Sequence, residues 1–125
     1  MKELNVQNNI KLAMSPETKL FRNNVGMAYI GKSKKFQNGD VLITNARIFH
    51  GGLCKGSSDL IGWTTKTVTP EMVGNKIAIF TAVEVKKTEK SNVRPEQTRF
   101  INAVKNDGGF AGIAWSDETA KKITE

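Results

Sequence analysis

Hydrophobic and polar positions follow two rhythms along this chain. In residues 2–14 the pattern repeats every three or four positions, with Glu3, Val6, Gln7, Ile10 and the Ala13/Met14 step on one stripe. That spacing predicts a helix, which Ser15-Pro16 ends. From Lys19 to Trp63 short strand-like runs alternate with turn residues: Leu20-Phe21-Arg22, Met27-Ala28-Tyr29-Ile30, Arg47-Ile48-Phe49 and Leu60-Ile61-Gly62-Trp63. Asn38-Gly39-Asp40 and Gly51-Gly52 mark the clearest breaks between them. Residues 68–75 read as a loop with a short turn. Residues 76–86 read as a long strand, apolar on both faces like a central strand covered by helices. Residues 94–106 predict a second helix with Pro95 in its first turn and Gly108-Gly109 closing it. A short buried strand at 110–115 follows. Ser116 then caps a last helix whose first turn carries Asp117 and Glu118, where the helix dipole favours acids. The expected order is αβββ(β)αβα, an α/β chain without internal repeats.

Length and composition narrow the classes. At 125 residues the chain suits a single domain, 1–125, able to bury about two thirds of its unfolded surface. No signal peptide is evident, and no apolar run approaches the roughly 20 residues that span a bilayer. A soluble intracellular protein is expected. Cys54 is the single cysteine and His50 the single histidine, so an internal disulfide, cysteine-rich zinc sites and histidine clusters are excluded. His50 reads as structural or solvated. The net charge is +7. Its cations gather at Lys32, Lys34 and Lys35, at Lys86, Lys87 and Lys90, and at Arg94 and Arg99. Such a surface suits a polyanion, because binding releases counterions from phosphates. A membrane surface fits less well, since the cations are spread over turns and strand ends and do not line one amphipathic helix.

The candidate chemistry sits at the end of the apolar run 77–83. With a period of two, Glu84 and Lys86 emerge side by side on one strand face while Val83 and Val85 point to the other. Asp59 lies upstream in a polar loop. Magnesium-dependent phosphodiester cleavage needs hard carboxylate oxygens for the cation and an ammonium near the attacking water or the phosphate, and Asp59, Glu84 and Lys86 could provide them. Taken alone, the Glu-x-Lys step is better explained as a strand ending in solvated charges. Two further placements change that balance. Gln97 shares its stripe with Phe100, Ile101 and Val104, so its amide points toward the sheet, where it must be hydrogen-bonded. Glu3 shares the stripe of Val6 and Ile10 and is aimed the same way. Two carboxylates about 4 Å apart repel by about 4 kcal/mol at an effective dielectric of 20, and a bound divalent cation removes that repulsion. The competing reading leaves Glu3 exposed and Gln97 capping something local.

Six segments in order resemble one family: Glu3-x-x-Val6-Gln7, Phe21-Arg22-Asn23-Asn24-Val25-Gly26, Gly56-Ser57-Ser58-Asp59-Leu60-Ile61-Gly62, Glu84-Val85-Lys86, Arg94-Pro95-Glu96-Gln97 and Gly108-Gly109-Phe110-Ala111-Gly112. Together they resemble the virus-type replication-repair nuclease (VRR-NUC) domain, a branch of the PD-(D/E)XK nuclease superfamily, in its stand-alone phage-type version. The resemblance implies a restriction-endonuclease-like α/β core, αβββαβ, with a mixed central sheet flanked by helices. It implies Mg²⁺ or Mn²⁺ held by Asp59, Glu84 and the backbone carbonyl of Val85, with Lys86 orienting the water and Glu3 and Gln97 completing the site. Glu17 is a rival to Glu3 as the first-helix acid. Ser58 precedes Asp59 where the superfamily has proline.

The expected activity is metal-assisted hydrolysis of DNA phosphodiesters, and the resemblance implies products with 5′-phosphate and 3′-hydroxyl ends. Arg22, Asn23, Lys55 and Lys87 are candidate contacts to the DNA backbone. By resemblance the substrate is branched DNA, specifically a four-way junction cut by a homodimer, in the cytoplasm of a bacterial host if the chain is phage-encoded. Flap cleavage or nonspecific nicking is the alternative. A branched-DNA binder that does not cut would have no use for Glu84, Lys86 and an inward Glu3. A P-loop fails because Gly56 is followed by Ser57 and the Gly-Lys-Ser/Thr step is missing. The apolar strands at residues 28–30 and 47–49 are the expected dimer contact, unless they are plain core.

Overall fold

The computed structural model describes residues 2–125, which form two compact units, one up to Gly62 and one from Trp63. The chain is mixed α/β, with three α-helices and small sheets among the described residues.

In the first unit, α1 (Glu3–Met14) begins after Lys2 and ends at Ser15, the residue before Pro16, where proline disfavours helical backbone. It packs on β1 (Thr18–Arg22). Next come β2 (Gly26–Lys35), β3 (Val41–Gly51) and β4 (Leu60–Thr64), the last pairing with β1. β2 and β3 form an antiparallel hairpin. Its turn is closed by the Phe36 N–H donating to the Asp40 carbonyl at 2.8 Å, and the Asn38 amide binds the Asp40 carboxylate at 2.9 Å. Both hairpin strands run further toward this turn than the apolar runs 27–30 and 47–49 predict. Lysines on a solvated ribbon cost nothing, so polarity does not mark where pairing stops.

The second unit opens with the end of β4 and a 3₁₀ turn (Pro70–Met72), then β5 (Thr81–Val85), α2 (Pro95–Asn106), β6 (Phe110–Ala114) and α3 (Asp117–Ile123). β5 and β6 run parallel, joined by α2 as the crossover, with Glu84 opposite Ile113 and Val85 opposite Ala114. The core lies beneath α2, where Val104, Ala111 and Ala114 are buried and Val104 is 1% exposed. Gly109 allows this packing, since a Cβ there would stand 2.6 Å from Val104 Cγ1 and 2.9 Å from the Phe80 carbonyl. Trp63 stacks against Phe80 at 4.7 Å and meets Phe100 edge-on at 6.1 Å, and its indole N–H donates to Asp107 at 2.9 Å. α3 starts as expected: the Thr119 N–H donates to Ser116 Oγ at 3.1 Å while Thr119 Oγ1 accepts from the Ser116 N–H.

One expectation is corrected. The strand predicted over 76–86 spans only Thr81–Val85, and it is not covered on both faces: Ala82 and Glu84 are half-buried, whereas Val85 is 73% exposed. A strand extends only as far as its partner, and β6 begins at Phe110, whose N–H bonds the Phe80 carbonyl. Among the described residues β1 pairs with β4, β2 with β3 and β5 with β6, the last pair parallel and the hairpin antiparallel. β2 and β3 use their long ladder on each other, and lysines along β2 blunt its outer edge against a further strand.

Candidate active site

Three side chains converge between β5 and α2. Glu84 lies in β5 and Lys86 just beyond it. The Lys86 N–H donates to the Ala114 carbonyl at 2.9 Å, which carries the ladder one residue further and fixes the direction of the lysine. Period-two geometry puts both side chains on the face toward α2. From the first turn of α2, the Gln97 Nε2 donates to Glu84 Oε1 at 2.7 Å. The Lys86 ammonium donates to Gln97 Oε1 at 2.9 Å and lies 3.4 Å from Glu84 Oε1. Gln97 Oε1 also accepts the backbone N–H of Arg94 at 3.0 Å, one of the donors that a helix start leaves without an internal partner.

This pattern admits one orientation of the amide. Lys86 and the Arg94 N–H can only donate, so they need the amide oxygen, and ionised Glu84 can only accept, so it needs the amide nitrogen. Gln97 therefore locks the acid and the base of the strand to the helix. Side-chain exposure is 15% for Lys86 and 32% for Glu84. The site is thus shielded yet reachable, at the wall of a cleft of about 250 Å³ that Glu84, Gln97, Phe100 and Ile101 help to line. Among the described residues no donor reaches Glu84 Oε2. An available carboxylate oxygen with no thiol or imidazole beside it fits a hard divalent cation, although no three His, Cys, Asp or Glu side chains cluster among the described residues of this unit.

The expected residues thus fall into two groups. Glu84, Lys86 and Gln97 come together in the second unit. Asp59 belongs to the first unit, exposed just before β4. Glu3 is exposed in the first turn of α1, not turned inward as its stripe predicts, and Glu17 is exposed too. An acid at a helix start gains from the dipole without being buried. Lys55, Lys87 and Arg22 are exposed, Arg22 reaching Asn8 Oδ1 at 3.3 Å.

Asn23, expected as a DNA contact, spends its side chain on its own unit. Its Nδ2 donates to Ser57 Oγ at 2.7 Å and to the Ser58 carbonyl at 2.9 Å, and its Oδ1 accepts the Leu53 N–H at 2.9 Å. Its backbone N–H donates to the Asp59 carbonyl at 2.8 Å. Asn23 thereby pins the loop that ends in Asp59, a role with no local signal because its partners lie far along the chain. Sequence reasoning also missed Glu96, which lines the same cleft as Glu84. As an acid in a helix first turn it passes for a dipole residue.

A family model described as the VRR-NUC domain matches residues 37–118. The match includes Asp59, Glu84, Lys86 and Gln97 and leaves Glu3 outside. No curated protein and no solved structure matches the chain.

Proposed function

Because the chain belongs to the VRR-NUC domain family, and is thereby a nuclease of the PD-(D/E)XK type acting on DNA, we propose that it is a metal-dependent endonuclease that resolves four-way junctions as a homodimer. The observation that carries the active-site reading is the Gln97 clamp, which holds Glu84 and Lys86 in one fixed relation. A family match that runs through both units supports treating them as parts of one nuclease domain with a restriction-endonuclease-like core.

Glu84 and the Val85 carbonyl would hold Mg²⁺ or Mn²⁺, and the family resemblance adds Asp59 as a metal ligand. When bound, such an ion supplies Lewis-acid polarisation of the phosphate and a more acidic water. The residues of the chain do the rest. Lys86 has three N–H donors, and Gln97 takes one, so the ammonium can also donate to the attacking water or to a phosphate oxygen. Gln97 accepts from the ammonium and donates to the carboxylate, holding the two in an ion pair at 3.4 Å. Asn23 holds the loop that ends in Asp59.

Pairing of two copies gives two identical active sites, one for each of two symmetry-related junction strands. The hairpin register refines the contact expected at residues 28–30 and 47–49. Tyr29 pairs with Ile48 on one face, and Ala28 pairs with Phe49 on the other. Tyr29 and Ile48 are 55% and 56% exposed, and an exposed apolar face of this kind supports a protein contact. Two measurements test the dimeric resolvase: sedimentation at micromolar protein should show a dimer, and four-way junctions should be nicked in opposed strands faster than linear duplex. A strict monomer that prefers flaps would refute it and leave the nuclease chemistry standing. No helix among the described residues is long and apolar enough to cross a membrane.

A further inference from the structure

The β2–β3 hairpin is two-faced, and its register shows how. Pairing runs Ala28 with Phe49 and Ile30 with Arg47, then shifts, so that Lys32 meets Thr44 and Lys34 meets Leu42. Residues paired across a ladder share a face. Lys32, Lys34 and Arg47 therefore stand together on one side, beside Ile30, Leu42 and Phe49, and Met27, Tyr29, Ile43 and Ile48 stand on the other with Lys35. The shift is a bulge: Asn45 adopts the left-handed conformation at φ 54°, and Gly31 faces it. Gly31 has no substitute here, since a Cβ would lie 2.7 Å from the Thr44 carbonyl and 2.9 Å from Ile43 Cγ2. Without the extra residue Val41 and Ile43 would fall on the lysine face, because a one-residue slip exchanges the faces of a strand. The bulge keeps Val41 and Ile43 off the side that carries Lys32, Lys34 and Arg47.

The basic face carries no opposing charge. Neither strand contains an acid, and every residue of β2 is exposed. Asp40 in the turn is engaged by Asn38. Lys34 lies over the Phe36 ring, 5.5 Å from its centroid, which steadies its ammonium beside the turn. Lys32 and Lys34 are two residues apart on one strand, a spacing of about 7 Å. A rigid two-stranded ribbon fits a DNA groove, and cations fixed at regular spacing on it match a row of phosphates.

We propose that the face of the β2–β3 ribbon bearing Lys32, Lys34 and Arg47 is a DNA-contacting surface that holds the phosphate backbone of a duplex arm without reading its sequence. This rests on the nuclease reading, because it takes DNA as the polyanion. It adds a surface that lies in the first unit, whereas Glu84, Lys86 and Gln97 lie in the second.

The experiment is a titration of fluorescent duplex with the full chain across a salt series, alongside cleavage in Mg²⁺. For Lys32→Ala/Lys34→Ala the slope of log affinity against log salt should fall by about 2, and affinity should drop about tenfold on any sequence. Lys32→Arg/Lys34→Arg should keep the wild-type slope, which separates loss of charge from loss of fold. Lys121→Ala/Lys122→Ala in α3 removes the same charge elsewhere and should change the slope little. An unchanged slope in the hairpin variant, or an equal fall in the α3 variant, would overturn the proposal. So would a changed sedimentation coefficient with unchanged DNA affinity, which would make this face a contact between copies. In each of these cases wild-type cleavage would leave the nuclease reading intact. Absence of wild-type binding and cleavage would end both.

Discussion

Gln97 in α2 donates from Nε2 to Oε1 of Glu84 in β5 at 2.7 Å, while its own Oε1 is taken by Lys86 and by the Arg94 N–H. One amide thus serves as both a helix cap and the link between an acid and a base. Reversing its polarity at any one of these bonds places two donors or two acceptors face to face.

Gln97→Glu is accordingly predicted to lower both activity and stability. The carboxylate still accepts from Lys86 and Arg94, but its second oxygen opposes Glu84, a repulsion of about 4 kcal/mol at 4 Å and an effective dielectric of 20. Cleavage should fall about 100-fold or more, in line with loss of one preorganised donor. Gln97→Ala should lower stability by about 1 kcal/mol through the lost cap. Comparing cleavage rates with thermal melts of both variants checks this, and equal activity of Gln97→Glu and wild type would contradict it.

Lys86→Ala is predicted to cut the cleavage rate about 100-fold or more, because in the proposed mechanism its ammonium, held by Gln97, donates to the attacking water or to the phosphate. DNA affinity should change much less, since one cation among many phosphate contacts contributes little. Single-turnover rates and equilibrium binding measured on the same DNA separate the two. A parallel loss of both would make Lys86 a binding residue only.

Asn23→Ala should destabilise the first unit by about 1–3 kcal/mol, the cost of stranding polar groups that the Asn23 side chain now satisfies. Asn23→Asp should be no milder, because an acceptor would then face the Ser58 carbonyl. Urea unfolding measures this, and a loss below about 0.5 kcal/mol would show that the loop holds itself.

Much of this was legible in the chain. The three helices, the turn at Asn38-Gly39-Asp40 and the Ser116 cap follow from local rules. Gln97 stood out because an amide on an apolar stripe needs a partner. What was illegible depends on distant pairing. The length of β5 is set by where β6 begins, and the length of the hairpin by its own ladder, neither of which periodicity records. Glu3 misled because a stripe gives the direction of a residue along a helix and not how far its neighbour covers it. Asn23 looked like a surface contact because Leu53, Ser57 and Ser58 are close to it only after folding.

The central claim is that Glu84 serves metal-dependent cleavage of DNA, and the direct measurement is cleavage of a four-way junction by wild type and by Glu84→Gln, in Mg²⁺ and in excess EDTA. Wild type should cut in Mg²⁺ and not in EDTA. Glu84→Gln should bind the junction as well as wild type or slightly better, because a negative charge near the phosphates is gone, and should cut about 1000-fold more slowly or not at all. Cleavage by Glu84→Gln at the wild-type rate, or cleavage that persists in EDTA, would contradict the claim.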